Sequence, residues 1–166
     1  GPFWDRGYDT VAAPATGGIV LAMATAIQSP RMPTVFPGLV WADKQGDDFV
    51  FERAGFVNCI KGKRVLAVED LLTTGGSVAK VCNEIRRHGG EVVGVSAVVN
   101  RGGITAEDLG VPHLETLAQV SFEAIDADSC PLCEQQVPII EDIGHGAKYK
   151  LEHPNYEGGY VTLLTA

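Results

Sequence analysis

The sequence predicts an α/β fold, an open and mostly parallel sheet flanked by helices. Short apolar runs with strand composition alternate with longer segments of helical spacing, and glycines stand at the junctions. The clearest unit is a strand, a helix and a second strand within residues 64–100. Such a unit forms a parallel strand pair with a right-handed crossover, so its repetition predicts an open α/β sheet.

The length suits one domain, and the charge is unevenly spread over it. The 166 residues, 45% hydrophobic and 20% charged, suffice for one sizeable core. The net charge of −8 divides into +1 for residues 1–106 and −9 for residues 107–166. We predict a core over residues 1–140 and an acidic C-terminal tail over residues 141–166, to which the sequence assigns no role.

The composition argues against two classes of partner. An acidic surface does not suit nonspecific binding of nucleic acid. No apolar run approaches the length of a membrane span, and the N-terminus lacks the basic-then-apolar pattern of a secretory signal. We therefore expect a cytoplasmic protein with neither a nucleic-acid nor a membrane partner.

The first predicted unit is a strand, a glycine turn and a helix. The strand is predicted over Asp9–Pro14, and Gly17 and Gly18 open the apolar run Ile19–Ile27. The alanine and methionine spacing of that run predicts a buried helix.

Two further strands are predicted beyond this helix, over Pro33–Trp41 and Phe49–Arg53. The polar run Asp43–Asp48 lies between them. It predicts a hairpin or a flexible loop.

The central unit is defined by the sharpest boundaries in the sequence. A strand over Arg64–Glu69 leads through a turn at Thr73–Gly76 into a helix over Ser77–His88, which Gly89 and Gly90 end. The next strand is predicted over Glu91–Asn100. The apolar face of this helix is predicted to comprise Val78, Val81 and Ile85.

The carboxyl end of the first strand in this unit carries polar groups suited to a ligand. Glu69 and Asp70 end the apolar run, and ligands of open α/β sheets bind outside the carboxyl ends of the strands. The residues of the turn that follows are Thr73, Thr74, Gly75, Gly76 and Ser77. Backbone N–H groups and hydroxyls at a helix start favour a phosphate.

The two carboxylates would repel a phosphate and must serve another part of the ligand. Paired acids beside a phosphate site suit the hydroxyls of a ribose, or a divalent metal near it, and together the groups describe a sugar phosphate. The alternative is that Thr74 or Ser77 only caps the helix and the carboxylates are solvated. No lysine follows the glycines, so the turn is not a Walker A loop.

This combination of strand, acidic pair and glycine turn resembles the type I phosphoribosyltransferases, and most of all the branch that acts on orotate. The resemblance runs from about Tyr8 to about Pro138. The short polar loop and the C-P-L-C run near the C-terminus resemble thermophile-type members. The resemblance implies transfer of a phosphoribosyl group from 5-phosphoribosyl-1-pyrophosphate (PRPP) to orotate, with Mg²⁺ held mainly by PRPP.

The resemblance also implies a PRPP site in two parts. The turn after the central strand would hold the 5-phosphate, with Glu69 and Asp70 on the ribose hydroxyls and Asp70 catalytic. The backbone amides of Thr16, Gly17 and Gly18 would face the diphosphate.

A base site and two loop cations follow from the same resemblance. Arg101 would hold the orotate carboxylate, beside Thr73, because a guanidinium offers two parallel hydrogen bonds. Lys44 and Arg53 are the loop cation candidates, with Lys44 catalytic in a mobile loop. The family also implies a homodimer.

Three departures from the family pattern stand out. Many orotate enzymes have a lysine where this chain has Gly17, and a longer loop with more cations than Lys44 alone. The core begins directly after Phe3–Gly7, so we expect the N-terminal hood over the base to be lacking. Two alternatives therefore stand beside the orotate enzyme: a phosphoribosyltransferase for another nucleobase, and a non-catalytic PRPP-binding regulatory domain.

The cysteines provide an incomplete metal signal. Cys130 and Cys133 form one C-x-x-C pair, whereas a structural zinc site takes four ligands. Reduced thiols at a surface turn and a zinc site that includes these two residues are both open at this point.

Overall fold

The computed structural model describes residues 3, 7–29, 34–121, 125–126 and 129–163, and its contacts divide the chain into units of residues 1–122 and 123–166. Pro33, where the predicted strand Pro33–Trp41 begins, lies outside the described residues, as do residues 4–6 of the segment before the core. The N-terminal unit contains β1 (Thr10–Pro14), α1 (Gly17–Ile27), β2 (Gly38–Gln45), β3 (Asp48–Val50), α2 (Phe56–Ile60), β4 (Arg64–Leu72), α3 (Gly76–Arg87), β5 (Glu91–Asn100) and β6 (Leu114–Gln119).

These strands form one sheet in the order β3-β2-β1-β4-β5-β6. All neighbours are parallel except the edge pair β2 and β3, which is antiparallel. The predicted fold class, an open and mostly parallel sheet with flanking helices, is confirmed. None of the helices in the described ranges combines the length and the hydropathy that a membrane span requires.

Strand alternation sorts the apolar side chains of β4 onto two faces of the sheet. Val65 and Ala67 pack in one core cluster with the buried face of α3, whereas Leu66 and Val68 pack in a second cluster with α1. The two crossover helices therefore cover opposite faces. This is the arrangement that leaves a crevice between two neighbouring strand ends.

The helix α3 matches its prediction closely. Val78, Val81 and Ile85 are fully buried, as their spacing predicts, and the helix is followed by Gly89 at φ +77°. The strand before it runs three residues further than predicted, to Leu72, because its partner β5 continues pairing up to Asn100.

The prediction that α1 is buried is wrong for half of its surface. The fully buried residues of this helix are small, Gly18, Ala22 and Ala26, and a Cβ at Gly18 would lie 2.8 Å from the Cβ of Ala13. Leu21 packs against the same core from a partly buried position, whereas Val20 is 77% exposed. Met23 and Ile27 are also exposed, because close approach to the sheet leaves space for the glycine and alanine face.

The polar run between β2 and β3 is a tight hairpin rather than a flexible loop. Its strands continue through Gln45 and from Asp48, leaving only Gly46, at φ +62°, and Asp47 in the turn. Of the two alternatives predicted for Asp43–Asp48, the hairpin is confirmed and the flexible loop is wrong, because the run pairs as an edge ladder.

The C-terminal unit is a small structure of its own that begins earlier than the predicted tail. It contains α4 (Pro131–Glu134), β7 (Ile139–Ile140), α5 (Gly146–Glu152) and β8 (Tyr160–Val161), with β7 and β8 parallel. Lys150 pairs with Glu141 at 2.6 Å, and the hydroxyl of Tyr156 donates to the carbonyl of Val137 at 2.8 Å. The acidic segment is thus folded.

Candidate active site

The carboxyl ends of β1, β4 and β5 meet at one edge of the sheet. β1 pairs with β2 on one side and with β4 on the other. The connection from β1 through α1 leads to β2, and the connection from β4 through α3 leads away from it to β5, so the direction of the strand order reverses between β1 and β4. Crevices at such a reversal are the usual ligand sites of open α/β sheets.

The turn after β1 lies directly against the acidic end of β4. The N–H of Ala15 donates to the carbonyl of Ala42 at 2.8 Å, and the Ala15–Thr16 peptide is cis. A Cβ on Gly17 would lie only 2.6 Å from Oδ2 of Asp70. The structure therefore brings together the predicted diphosphate turn and the predicted ribose carboxylate.

The turn after β4 is open to an anion. Gly75 adopts φ +73° to turn the chain into α3, and as the N-cap residue it has no side chain to cap that helix. The N–H of Gly76 donates to Oγ1 of Thr74 at a long 3.4 Å, so the capping alternative holds for Thr74 only weakly.

A cavity of about 30 Å³ at this turn suits a small polar group. Its lining consists of Glu69, Leu71, Leu72, Thr73, Thr74, Gly75, Gly76, Ser77 and Val78. That volume holds roughly two water-sized groups, which is the scale of a phosphate and not of a base. A larger cavity of about 350 Å³ runs along α3 from Lys80 to Arg87, away from the strand ends.

Glu69 and Asp70 form a hydrogen-bonded carboxyl pair. Glu69 is buried, and its Oε1 accepts the N–H of Asp70 at 3.2 Å; Asp70 is exposed, and its Oδ1 accepts the N–H of Leu71 at 2.8 Å. Burial, and then the hydrogen bond to the Asp70 side chain, raise the pKa of Glu69 to about 8. This shift favours the protonated form of the Glu69 carboxyl at neutral pH.

This raised pKa predicts a pH dependence of stability. The folded protein holds a proton on Glu69 that the unfolded chain, at 4.5, releases, so this group stabilises the fold below about pH 4.5 and the effect is lost as the pH rises toward 8. As the pH rises, the free energy of unfolding of Glu69→Gln should increase relative to that of wild type, by up to about 1.4 kcal/mol per pH unit. Urea unfolding of both proteins at several pH values measures this difference, and parallel curves would contradict it.

The loop after β5 is fixed to the phosphate turn by backbone contacts. The N–H groups of Arg101 and Gly102 donate to the carbonyl of Leu72 at 2.8 and 3.1 Å. A Cβ on Gly102 would lie 1.6 Å from the carbonyl oxygen of Thr73. Arg101 itself is exposed at this strand end. The predicted base residue and the predicted phosphate turn thus lie side by side.

Asn100 is a positioning residue that the sequence reasoning missed. Its buried side-chain amide donates to the carbonyl of Ile104 at 2.7 Å and accepts the N–H of Ile104 at 3.0 Å, which closes the Arg101 loop. Ile104 and Leu109 in turn pack against Gly75, where a Cβ would lie 2.7 Å from Leu109. The sequence signal that could have identified Asn100 is a polar residue at the end of a long apolar strand.

The two loop cation candidates occupy different settings. Lys44 is exposed in β2, two residues beyond Ala42, so it lies at the carboxyl edge of the sheet but in a strand. The guanidinium of Arg53 lies 4.6 Å from the centre of the Trp41 ring, and Phe56 packs edge-on against the same ring at 4.8 Å. Arg53 is therefore engaged with an aromatic side chain.

The metal ligands that the structure offers are few. No group of three or more His, Cys, Asp or Glu side chains that could hold a metal ion occurs in the part of the chain that the structure describes. Cys130 and Cys133 come together in the C-terminal unit as a pair, short of the four ligands of a structural zinc site.

The fold and the candidate site together combine a mostly parallel sheet with two glycine turns and an acidic pair at neighbouring strand ends. Residues 4–113 match the model of the phosphoribosyl transferase domain, and the chain belongs to this family of pentosyltransferase enzymes. The predicted family resemblance is confirmed.

Within the family, the chain is similar to orotate phosphoribosyltransferases. It is 38% identical to that of Caldanaerobacter subterraneus subsp. tengcongensis over 138 residues, covering 82% of this chain and 67% of the relative. It is 39% identical to that of Thermus thermophilus over 140 residues, covering 84% and 71%. The chain thus spans about two thirds of the length of the relatives that it matches.

The solved structures that resemble this fold include one with substrate bound. Orotate phosphoribosyltransferase from Mycobacterium tuberculosis in complex with PRPP matches with a TM-score of 0.54 and 27% identity over 70% of this chain and 66% of that chain. An adenine phosphoribosyltransferase from Rhodothermus marinus matches at 0.55 with 21% identity, covering 72% and 73%, and this likeness concerns the fold alone.

Proposed function

We propose that this protein transfers the 5-phosphoribosyl group from PRPP to orotate, giving orotidine 5′-phosphate and pyrophosphate. The observation that carries the proposal is the position of the Arg101 loop, which the Leu72 carbonyl holds against the phosphate turn. That contact supports the proposal, because it brings the backbone of Arg101, whose guanidinium can bind a carboxylate, to the turn proposed to hold the sugar phosphate. The similarity to orotate enzymes over more than four fifths of the chain supports the same base.

In this proposal the substrate PRPP spans the crevice between β1 and β4. Its 5-phosphate binds the amides and hydroxyls of the Thr73–Ser77 turn, and its diphosphate binds the amides of Thr16, Gly17 and Gly18. The ribose then lies over the Glu69–Asp70 pair. The close approach of Gly17 to Asp70 supports this order, because it sets the two turns on either side of the carboxylates.

Displacement at C1 of the ribose builds positive charge on the sugar ring. In this proposal the carboxylate of Asp70, whose Oδ1 accepts the N–H of Leu71, stabilises that charge. The raised pKa of Glu69 supports a pair whose negative charge lies mainly on Asp70. The reaction needs no nucleophilic side chain, only positioning of the two substrates.

Mg²⁺ fits these residues as a cofactor held mainly by the substrate. Mg²⁺ keeps several waters and binds through one or two carboxylates plus substrate phosphates, and the acidic pair supplies that number of protein oxygens. When bound, it neutralises the charge of the departing diphosphate. Asp70, the exposed carboxylate of the pair, is the residue that would reach it.

Two expectations from the family extend the proposal. Of the two cation candidates, Lys44 at the carboxyl edge of β2 is the one that we expect to bind the diphosphate. Arg53 is engaged with the Trp41 ring and supports the hairpin. The homodimer and the cytoplasmic location that the sequence and the resemblance imply stay predictions.

Turnover of orotate tests the proposal directly. We expect orotate absorbance to fall only when PRPP and Mg²⁺ are both present, with PRPP binding measured by calorimetry on the same preparation. PRPP binding without orotate turnover would favour another nucleobase or a regulatory PRPP-binding domain, and a screen of bases separates these two.

Arg101→Ala tests the base site within that assay. The loss of a charge-assisted pair should raise the KM for orotate about tenfold or more, with a much smaller change for PRPP. Arg101→Lys is the matched control, because it keeps the charge but loses the planar fork. Equal effects on both substrates would remove Arg101 from base recognition.

A further inference from the structure

The proposed reaction does not use the C-P-L-C run of the C-terminal unit. Cys130 stands just before α4 and Cys133 lies in its single turn, which closes with the N–H of Glu134 donating to the carbonyl of Cys130 at 3.1 Å. The two thiols hydrogen-bond to each other. Two hydrogen-bonded thiols three residues apart on one helical turn can close into a disulfide with little backbone movement.

The two thiols have different surroundings. The N–H groups of Cys133 and Leu132 point at the sulfur of Cys130, and they hold the pKa of that thiol below its usual range. The hydrogen bond to Cys130, followed by burial, raises the pKa of Cys133. Because the thiolate is the attacking species, Cys130 is the nucleophile of the pair and Cys133 the resolving thiol.

A second part of the same unit holds the resolving thiol in place. The hydroxyls of Tyr156 and Tyr149 lie within hydrogen-bond reach of the sulfur of Cys133. Tyr149 stacks on His153 with ring centres 4.3 Å apart, and Tyr156 is fixed by its bond to Val137. Cys133 therefore faces its partner from a supported position.

Both thiols are accessible, in contrast to the buried cysteine of the sheet domain. Cys130 and Cys133 are partly exposed, whereas Cys82 is fully buried and its burial raises the pKa of that thiol to about 12. Reactivity of a cysteine follows its thiolate character and its exposure. The chain thus carries inert and reactive thiols that can be compared within one molecule.

We propose that Cys130 and Cys133 form a redox-active dithiol that exchanges with low-molecular-weight disulfides of the glutathione class. The sulfur of Cys130 attacks one sulfur of the external disulfide, whose S–S bond breaks and releases one thiol. The sulfur of Cys133 then attacks Cys130 and releases the second thiol. Two protein thiols are oxidised to one disulfide, the external disulfide is reduced to two thiols, and the two protein thiol protons pass to the leaving sulfurs.

The experiment exposes the full chain to defined ratios of oxidised and reduced glutathione, with intact mass and peptide mapping as readouts. We expect a species lighter by two hydrogen atoms, with Cys130 and Cys133 joined and Cys82 still free, and its return to the dithiol with excess reduced glutathione. In Cys133→Ser the second step is blocked, so a glutathione adduct should accumulate on Cys130. Cys59→Ser is the control that should behave as wild type.

Three results would overturn the proposal. One is a pair that stays reduced at glutathione ratios that oxidise an unstructured C-P-L-C peptide. Another is an adduct in Cys133→Ser that forms first on Cys59. The third is stoichiometric binding of added Zn²⁺ that protects both thiols from alkylation, which would assign the pair to a metal site. None of these results depends on turnover of orotate.

Discussion

Replacement of Asp70 by asparagine should lower kcat/KM for PRPP about 10²-fold while the fold is retained. Asparagine has the shape of aspartate and can still accept the N–H of Leu71, so the end of β4 should keep its geometry. What is lost is the negative charge beside the ring that becomes positive during the displacement. Steady-state kinetics with varied PRPP, together with urea unfolding of the same protein, measure both quantities.

The matched control for this variant is Glu91→Gln. Glu91 begins β5 at the opposite end of the parallel strands, where its contact with Arg64 is a loose 4.0 Å, so this change of carboxylate to amide should leave the kinetics unchanged. Wild-type kinetics in Asp70→Asn would show that this carboxylate has no role in the reaction. A loss of stability without a loss of activity would show that Asp70 supports the fold.

Gly102→Ala should cause a large loss of kcat/KM for orotate, because the new methyl group has no space. Its Cβ would stand 1.6 Å from the carbonyl oxygen of Thr73, which belongs to the backbone of the phosphate turn and cannot rotate away. The Arg101 loop must then move off the turn. A displacement of about 1 Å at a reacting centre costs on the order of 10²-fold, so we expect that loss in kcat/KM for orotate.

The neighbouring glycine provides the comparison for this substitution. Gly103 has φ +66° and no atom within 4 Å of the position that a methyl group would take, so Gly103→Ala introduces backbone strain of about 1 kcal/mol without a clash. Urea unfolding should detect the strain in Gly103→Ala, while kinetics should single out Gly102→Ala. If both variants lose the same activity, general loosening of the loop explains the effect, and the specific contact with Thr73 does not.

The sequence was most informative where local pattern and tertiary packing agree. The spacing of Val78, Val81 and Ile85 predicted both the existence and the buried face of α3, because a helix on a sheet buries one stripe. The long apolar run of β5 was equally reliable, since a central parallel strand is buried on both faces.

The sequence misled where composition alone suggested the environment. The apolar run of α1 predicted burial, yet Val20 is 77% exposed because the face that is fully buried on the sheet is that of Gly18, Ala22 and Ala26. The polar composition around Lys44 left a flexible loop open beside a hairpin, and edge pairing with Phe49 decides for the hairpin. Hydropathy does not report whether a neighbouring strand is present to pair.

By itself the sequence determined the fold class and predicted which polar groups stand at the end of β4, because strand period, acidic pair and glycine turn are local properties of the chain. Only the tertiary structure decided which of these groups meet. It set Gly17 against Asp70 and Gly102 against Thr73, and it assigned the closing of the base loop to Asn100. Such contacts join residues far apart in the chain, and their distances depend on sheet order and register, which no single segment encodes.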